Sequence, residues 1–431
     1  MEKYLSYKDS GVQWLGEIPS HWKVKKIRHI LSLANEKTKE SGGELLSLSQ
    51  YAGVTPKTDS NVGIRAAEDT TGYNIVHKGQ FVMNIMLAWN GSYAVSEYDG
   101  IISPAYCVFD FTRECDRRYY NYLLRMKVYS GAFKTESKGI IDSRLRLYPQ
   151  YFKNFPLIVP PIEEQRSIAT YLDKATAEID RAIAQQQRMI DLLNERKQII
   201  IQRAVTKGLD ENVEMKDSGI EWIGEIPVNW NVMKLRAIGS TINGVSHDST
   251  YFGSGFPFVS YSDVYKNSTL PSKVCGLAKS TNAEQAMFSV EEGDVFFTRT
   301  SETAEEIGFS SVCMNTIEKA VFAGFLIRFR SNKGVLYKNY SKYFFRAKML
   351  RNYFVKEMNL VTRASLSQGL LKGLPVIVPS MQEQENIASY LDKVTGKIDQ
   401  AIERHQQMLS LLQERKQIII SEVVTGKIKV S

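Results

Sequence analysis

The chain of 431 residues is too long for one ordinary domain and reads as two or three. With 43% hydrophobic and 24% charged residues it has a globular composition, which excludes a disordered or fibrous chain. The net charge of +8 suits a polyanion partner such as nucleic acid without requiring one.

The opening stretch, MEKYLSYKDSG, is polar and lacks a signal-peptide pattern. No apolar run reaches the roughly 20 residues that span a bilayer, so a soluble cytoplasmic protein with no membrane partner is expected. Residues 8–30, KDSGVQWLGEIPSHWKVKKIRHI, form an entry segment. Its tryptophans, Trp14 and Trp22, are expected to pack it. Between 31 and 155, strands are predicted for GQFVMNIMLAW and AYCVFDF, which are β-branched, aromatic and partly alternating. RRYYNYLLRMKVYSGAFK reads as short amphipathic helices. FPLIVPPIEEQ is a strand that Pro160 ends, followed by a Glu/Gln run suited to a first helical turn.

The entry segment then returns at 216–238 as KDSGIEWIGEIPVNWNVMKLRAI, identical at 14 of 23 positions. Trp222 and Trp230 take the places of the first pair. The second head predicts strands at GDVFFTRT and AVFAGFLIRFR, and helices in KNYSKYFFRAKMLRNYFVKE. LPVIVPSMQEQ, with Pro379, leads out of it. Residues 156–206 and 375–425 match at 30 of 51 positions, at an offset of 219. Such a period is read before any motif. Each unit is a constant entry, a head without convincing sequence match to the other, and a constant helix. The expected domains are 1–155, a helix at 156–210, 211–374, and a helix at 375–431.

In the first helix Ile168, Leu172, Ala175, Ile179, Ala182, Gln186, Met189, Leu193, Arg196 and Ile200 advance by alternating steps of four and three. The second repeats this with Ile387, Leu391, Val394, Ile398, Ala401, His405, Met408, Leu412, Arg415 and Ile419. That is an a/d seam, which needs a partner helix. The expected fold class is α+β: two mixed α/β heads joined by two long helices pairing as an antiparallel coiled coil, with pseudo-twofold symmetry. A helix of about 40 residues gives a rod of about 60 Å. Gln186 and His405 stand at equivalent polar positions, either locking the register or reaching solvent beside Ala182 and Ala401.

Chemistry is sparse. There is no phosphate-cradling GxxxxGK[ST] loop, no HExxH and no GxGxxG after a strand. The four cysteines, Cys107, Cys115, Cys275 and Cys313, form no CxxC pair and no zinc spacing, so free thiols are expected. An enzyme is not expected.

Two GEIPxxW segments, each followed by a variable head and then by PxIVPxxxEQxxIAxYLDK opening a heptad helix, resemble the specificity subunit of type I restriction–modification enzymes. MNIMLAWNGSYAVSEYDGIISPAYCVF, SRLRLYPQYF, EEGDVFFTRT and RASLSQGLLKGLPVIVP are similar to that family too. The resemblance covers nearly the whole chain. It implies that the heads are target-recognition domains, each reading half of a bipartite duplex DNA site. It implies that the helices set the half-site spacing and dock two modification subunits. Those partners would carry S-adenosylmethionine and methylate adenine, and restriction subunits using ATP and Mg would join them. The chain itself would bind no cofactor or metal.

Base edges call for Arg, Lys, Asn or Gln, and phosphates for Lys, Arg, Ser or Thr. The DNA-facing candidates in the first head are Tyr51, Lys57, Arg65, Trp89, Asn90, Ser92, Arg144 and Arg146, with Trp89 alternatively a core anchor. SRLRLY places Arg144 and Arg146 on one face of an extended segment. In the second head they are Tyr261, Ser262, Arg299, Thr300, Ser301, Arg363, Ser365 and Gln368. Arg144 and Arg363 rank first, because each precedes the Pro-bounded strand, where the resemblance implies DNA-facing residues. A coiled-coil scaffold with two protein-binding heads is the alternative.

Overall fold

The computed structural model describes residues 2–57, 69–139, 141, 144–301, 306–357 and 364–430. It forms two compact units, one made of Met1–Gln186 and Gln407–Ser431, the other of Gln187–Gln406. The two long helices, Ile162–Lys207 and Met381–Val424, are each shared between them. No described helix is long and apolar enough to cross a membrane.

In the first unit the entry strand Lys23–Lys26 pairs antiparallel with Pro156–Val159, so the strand into the head lies against the strand out of it. Asn231–Lys234 and Pro375–Val378 do the same in the second unit. The prolines stand at the first position of each exit strand, where a missing N–H is tolerated. Each helix is thus launched beside the point where its head begins.

The first head is built on an antiparallel sheet in the order Leu31–Ala34, Tyr106–Phe111, Phe81–Asn84, Tyr93–Val95. The middles of its inner strands, residues 81–83 and 107–109, are apolar runs because both faces are covered there. Phe81, Met83, Cys107 and Phe109 face the main core, while Val82 and Val108 face a smaller one with Leu48, Val54 and Ile102. The second head repeats the arrangement with Gly239–Asn243, Leu326–Ser331, Val295–Thr298 and Ser310–Val312. Val295, Phe297 and Phe329 face its main core, and Phe296 and Leu326 the smaller one. Two sequences without evident similarity therefore hold one topology. AVFAGFLIRFR, predicted as one strand, is two: Ala323–Gly324–Phe325 turns between Val321–Phe322 and Leu326–Ser331.

Both main cores need both helices. The first contains Ile168 and Leu172 from the first helix and Val423 and Val424 from the second. The other contains Ile387 and Leu391 with Ile201, Ala204 and Val205. Buried hydroxyls mark these joints. Tyr119 Oη donates to the carbonyls of Ile158 and Val424 at 3.4 and 3.1 Å. Tyr340 Oη donates to those of Val205 and Ile377 at 3.5 and 3.1 Å. Trp22 and Trp230 are fully buried, and each indole donates to a glutamate in the first helical turn, Glu164 or Glu383, at 2.9 Å. Trp14 instead packs edge-on against Tyr129, and Trp222 lies near Tyr353.

Along the helices Ile168, Leu172, Ile179, Ile387, Leu391 and Ile398 are buried, and Leu193, Ile200, Leu412 and Ile419 half-buried. Met189 and Met408 are exposed, at 38% and 47%. The buried stripe passes one residue later, through Ile190 and then Ile201. Within the first unit Lys416 pairs with Asp180 at 2.6 Å; within the second Lys197 pairs with Asp399 at 2.6 Å.

Burial would raise the Glu164 carboxyl, but hydrogen bonds from Trp22, His21 and Tyr4 outweigh it and hold the group below its ordinary 4.5. Glu383 is likewise held down, by Ser380, Trp230 and Asn229 against burial. A depressed carboxyl stabilises the fold above the unfolded value and loses that contribution as pH falls through the folded one. Glu164→Ala is expected to cost about 1–3 kcal/mol, because it strands a buried indole N–H. Urea unfolding at neutral pH measures it, and the difference from wild type should shrink as pH falls below 4.5.

Candidate nucleic-acid interface

In the first head the site grows from the end of the central strand Phe81–Asn84. Asn84 Oδ1 accepts the amide of Met86 at 2.9 Å, turning the chain into the single 3-10 turn Ala88–Asn90. Gly91, at φ 87°, closes that turn, a conformation that favours glycine. Trp89 is half-buried: its indole donates to the Met86 carbonyl at 3.0 Å, and Lys134 Nζ stands 5.3 Å from its ring centroid. Its ring stands at the rim of the head. Asn90 is exposed; Ser92 is buried, its hydroxyl donating to the Leu48 carbonyl at 3.4 Å.

Leu48 belongs to strand Leu46–Ser49, whose far end turns through Tyr51. Tyr51 is 85% exposed while its own carbonyl and that of Gln50 accept from Arg125 at 3.0 and 2.9 Å. The third piece is the extended stretch after the helix Lys127–Glu136. Lys138 and Arg146 exchange backbone hydrogen bonds at 2.9 Å, and the Leu147 amide donates to the Ile85 carbonyl at 2.9 Å. Arg144 and Arg146 are exposed while Leu145 and Leu147 are buried, the two-residue period of a strand. Tyr51, Trp89, Asn90, Arg144 and Arg146 are thereby collected around one sheet end. Met86, Leu87, Ile141 and Tyr148 add exposed apolar surface there, and Lys138 lies 5.1 Å from the Tyr151 ring. Lys57 is half-buried at the opposite end of its hairpin, where Leu46 pairs with Pro56. Arg65 lies outside the described residues.

The second head brings together the equivalent pieces. Strand Val295–Thr298 runs into Arg299, whose amide donates to the Phe325 carbonyl at 3.0 Å and whose carbonyl accepts from Leu366 at 2.7 Å. In the first head Ile85 makes the same two bonds, to Ala105 and from Leu147. Arg299 is therefore the structural counterpart of Ile85. Its guanidinium donates to the Gly324 carbonyl at 3.2 Å and is half-buried. Thr300 pairs with Ser365 and Ser301 with Ala364, and the Thr300 carbonyl accepts from Tyr261 Oη at 2.7 Å. Ser365 and Ser262 are exposed, and Ser301 is buried. Gln368 Oε1 is engaged inside the head, accepting from Thr241 at 3.1 Å. Arg363 lies outside the described residues.

Phe325, 65% exposed at the turn beside Arg299, was not singled out from sequence; the Gly324 that breaks the apolar run was its only signal. Lys134 was missed because it closes a stretch read as an amphipathic helix, and Lys138, just beyond that stretch, was not singled out. Among the described residues no group of His, Cys, Asp and Glu is placed to hold a metal ion. All four cysteines are free thiols, and burial pushes Cys107 and Cys115 up to about 11. Lys, Arg and aromatic side chains are of the kind that hold phosphates and reach base edges.

A family model described as "Type I restriction modification DNA specificity domain" matches this chain twice, at 19–187 and 227–407. Similar proteins include the type I restriction enzyme MjaVIII specificity subunit of Methanocaldococcus jannaschii, 24% identical and covering 80% of this chain and 79% of that one. The EcoKI specificity subunit of Escherichia coli K12 is 22% identical, covering 76% and 68%. A chain from a solved structure on complex assembly and conformational transition of the type I R-M system has a TM-score of 0.67 at 16% identity, covering 95% and 99%. That likeness concerns the fold.

Arg144→Ala and Arg146→Ala remove exposed charge without touching the packing of Leu145 and Leu147. Together they are expected to weaken duplex DNA binding and to reduce the slope of log K against log salt by about 0.9 for each phosphate that is no longer neutralised. Binding titrations at several salt concentrations measure this, and the thermal melt should be unchanged.

Proposed function

Since the chain belongs to the type I restriction–modification DNA specificity family, we propose that each unit carries a target-recognition domain reading one half of a bipartite duplex DNA site. The observation that carries this is a single sheet frame, written twice, with different side chains at the same clamped positions: Ile85 in one head, Arg299 in the other. Two different rims on equivalent frames would read two different half-sites. The domain division follows: heads at 1–155 and 211–374, spacer helices at 156–210 and 375–431.

The long helices pair antiparallel as a coiled coil and set the half-site spacing. The same 219-residue offset separates Asp180 from Asp399 and Lys197 from Lys416, so the two ion pairs are one pair written in both copies. One antiparallel register accounts for both. Exposed ion pairs contribute only about 0–1 kcal/mol, so these mark the register while the apolar stripe supplies the stability. Half-sites about one helical turn apart, roughly 34–36 Å, are the spacing such a spacer would serve.

Two modification subunits dock on the outer helix faces. Met189, Leu192 and Ile199 are exposed on one side of the first helix, and their counterparts Met408, Leu411 and Ile418 on the second. The seam reading placed both methionines inside the coil; their exposure, with a neighbouring Leu and Ile on the same face, suits a partner helix instead. Two copies of one stripe suit two copies of one partner. The chain supplies the address, and the partners supply S-adenosylmethionine-dependent adenine-N6 methylation and, where restriction subunits join, ATP- and Mg-dependent cleavage.

Exchanging residues 31–155 for those of a relative is expected to change one half of the methylated sequence and leave the other intact. Methylation-aware genome sequencing reads it, and a change in both halves or in neither contradicts the modular reading. Removing one heptad from both spacer helices is expected to alter the half-site spacing, or to abolish assembly, with both half-sites unchanged.

A further inference from the structure

A cavity of about 680 Å³ lies in the first unit between the entry segment and the helix Lys127–Glu136, walled chiefly by Val12, Trp14, Val128, Ala132, Tyr151 and Phe155. The second unit has a side chain in the same place. The helix pairs of the two heads align on Tyr119/Tyr340, Arg125/Arg346, Lys127/Lys348 and Phe133/Phe354, all at one offset. That alignment sets Tyr353 opposite Ala132. The Tyr353 ring stands 6.1 Å from that of Trp222, the counterpart of Trp14. Its hydroxyl donates to the Leu370 carbonyl at 3.2 Å, and Leu370 corresponds to Tyr151. The second unit thus fills with its own phenol a space that the first leaves open by carrying alanine.

The open space adjoins a surface already described. Val128, exposed, also lines a neighbouring groove of about 340 Å³ with Met126, Ile418 and Ser421. Ile418 is the last residue of the exposed stripe that begins at Met408. A groove with Met126, Val128 and Ile418 along it, edged by Lys127, Glu422 and Lys427, therefore runs from the proposed docking face to the cavity. We propose that the cavity receives an aromatic side chain, the size of tyrosine or phenylalanine, presented by the modification subunit docked on Met408, Leu411 and Ile418. This rests on the docking reading above. Tyr353 shows the shape that fits; Trp14 offers an aromatic wall, for which edge-to-face packing adds about 0.5–1.5 kcal/mol beyond area burial. Thr135 and Asn154 at the lining offer polar partners to a hydroxyl. Buried aromatic anchors of this kind dominate interface energetics.

The test uses the full-length chain and its purified modification subunit in a binding titration. Ala132→Tyr writes into the first unit the residue that the second already accommodates. Gly131→Leu is a second blocker; a Cβ there meets nothing within 4 Å, and the backbone is not left-handed. Each is expected to weaken one of the two modification-subunit sites about tenfold, the scale of one aromatic anchor, with an unchanged melt. Ile418→Glu is expected to weaken that same site through the docking face. A chain that loses the site through Ile418→Glu but is indifferent to both blockers overturns the cavity proposal alone. A wild-type chain that binds no modification subunit overturns the docking reading and the proposal with it.

Discussion

Neither head can close its hydrophobic core with its own residues, and the rest of the architecture follows from that shortage. The first core is completed by Ile168 and Leu172 from the start of one helix and by Val423 and Val424 from the end of the other. The second is completed by Ile387 and Leu391 together with Ile201, Ala204 and Val205. A helix end that must satisfy two partners at once is fixed in rotation and in height, because buried side chains tolerate little vacant space. Tyr119 and Tyr340 reinforce this by tying exit strand and helix end to one hydroxyl. The glutamates that receive Trp22 and Trp230 tie the first turn of each helix to its entry segment.

The frame was legible in the sequence because its parts are local and repeated. Gly-Glu-Ile-Pro, the Pro-bounded exit strand and the Glu/Gln helix start each imply a conformation by themselves. Beyond the few identities that their helices share at one offset, such as Tyr119/Tyr340 and Phe133/Phe354, the kinship of the two heads was not legible. Its signal lies in backbone hydrogen bonds, as where Ile85 and Arg299 occupy one position with unrelated side chains, and Tyr129 and Leu350 another. The helix seam was read by strict alternation, yet the buried stripe steps from Met189 to Ile190, a shift of one residue that the pattern of apolar positions alone could not decide because both are apolar. The candidate rim was legible where residue type and period agreed, as at Arg144 and Arg146. It was not legible at Phe325, whose exposure depends on a turn hidden inside an apolar run. Arg65 and Arg363 fall outside the described residues.

The two heads also differ in how they house cationic groups. Arg125 gives its guanidinium to carbonyls of the Tyr51 turn, and its counterpart Arg346 does the same for Asn267 and Ser310. Burial lowers both pKa values, yet the hydrogen bonds to carbonyls keep the cations inside. In the second head Arg351 joins Arg346 over the Phe309 ring, at 5.1 and 4.8 Å. Such arginines carry positive charge without offering it to a ligand, so the net basic balance overstates what either rim presents.

The clamp at Ile85 and Arg299 has an evolutionary consequence. Both residues are held by main-chain donors and acceptors that every residue except proline can supply. The main-chain clamp does not depend on which side chain stands there, although Ile85 packs against the first core and Arg299 also donates to the Gly324 carbonyl. A substitution there other than proline leaves the two main-chain bonds in place, so the clamp itself survives a change of side chain. A protein whose usefulness lies in changing what it reads would find such a position an inexpensive place to vary.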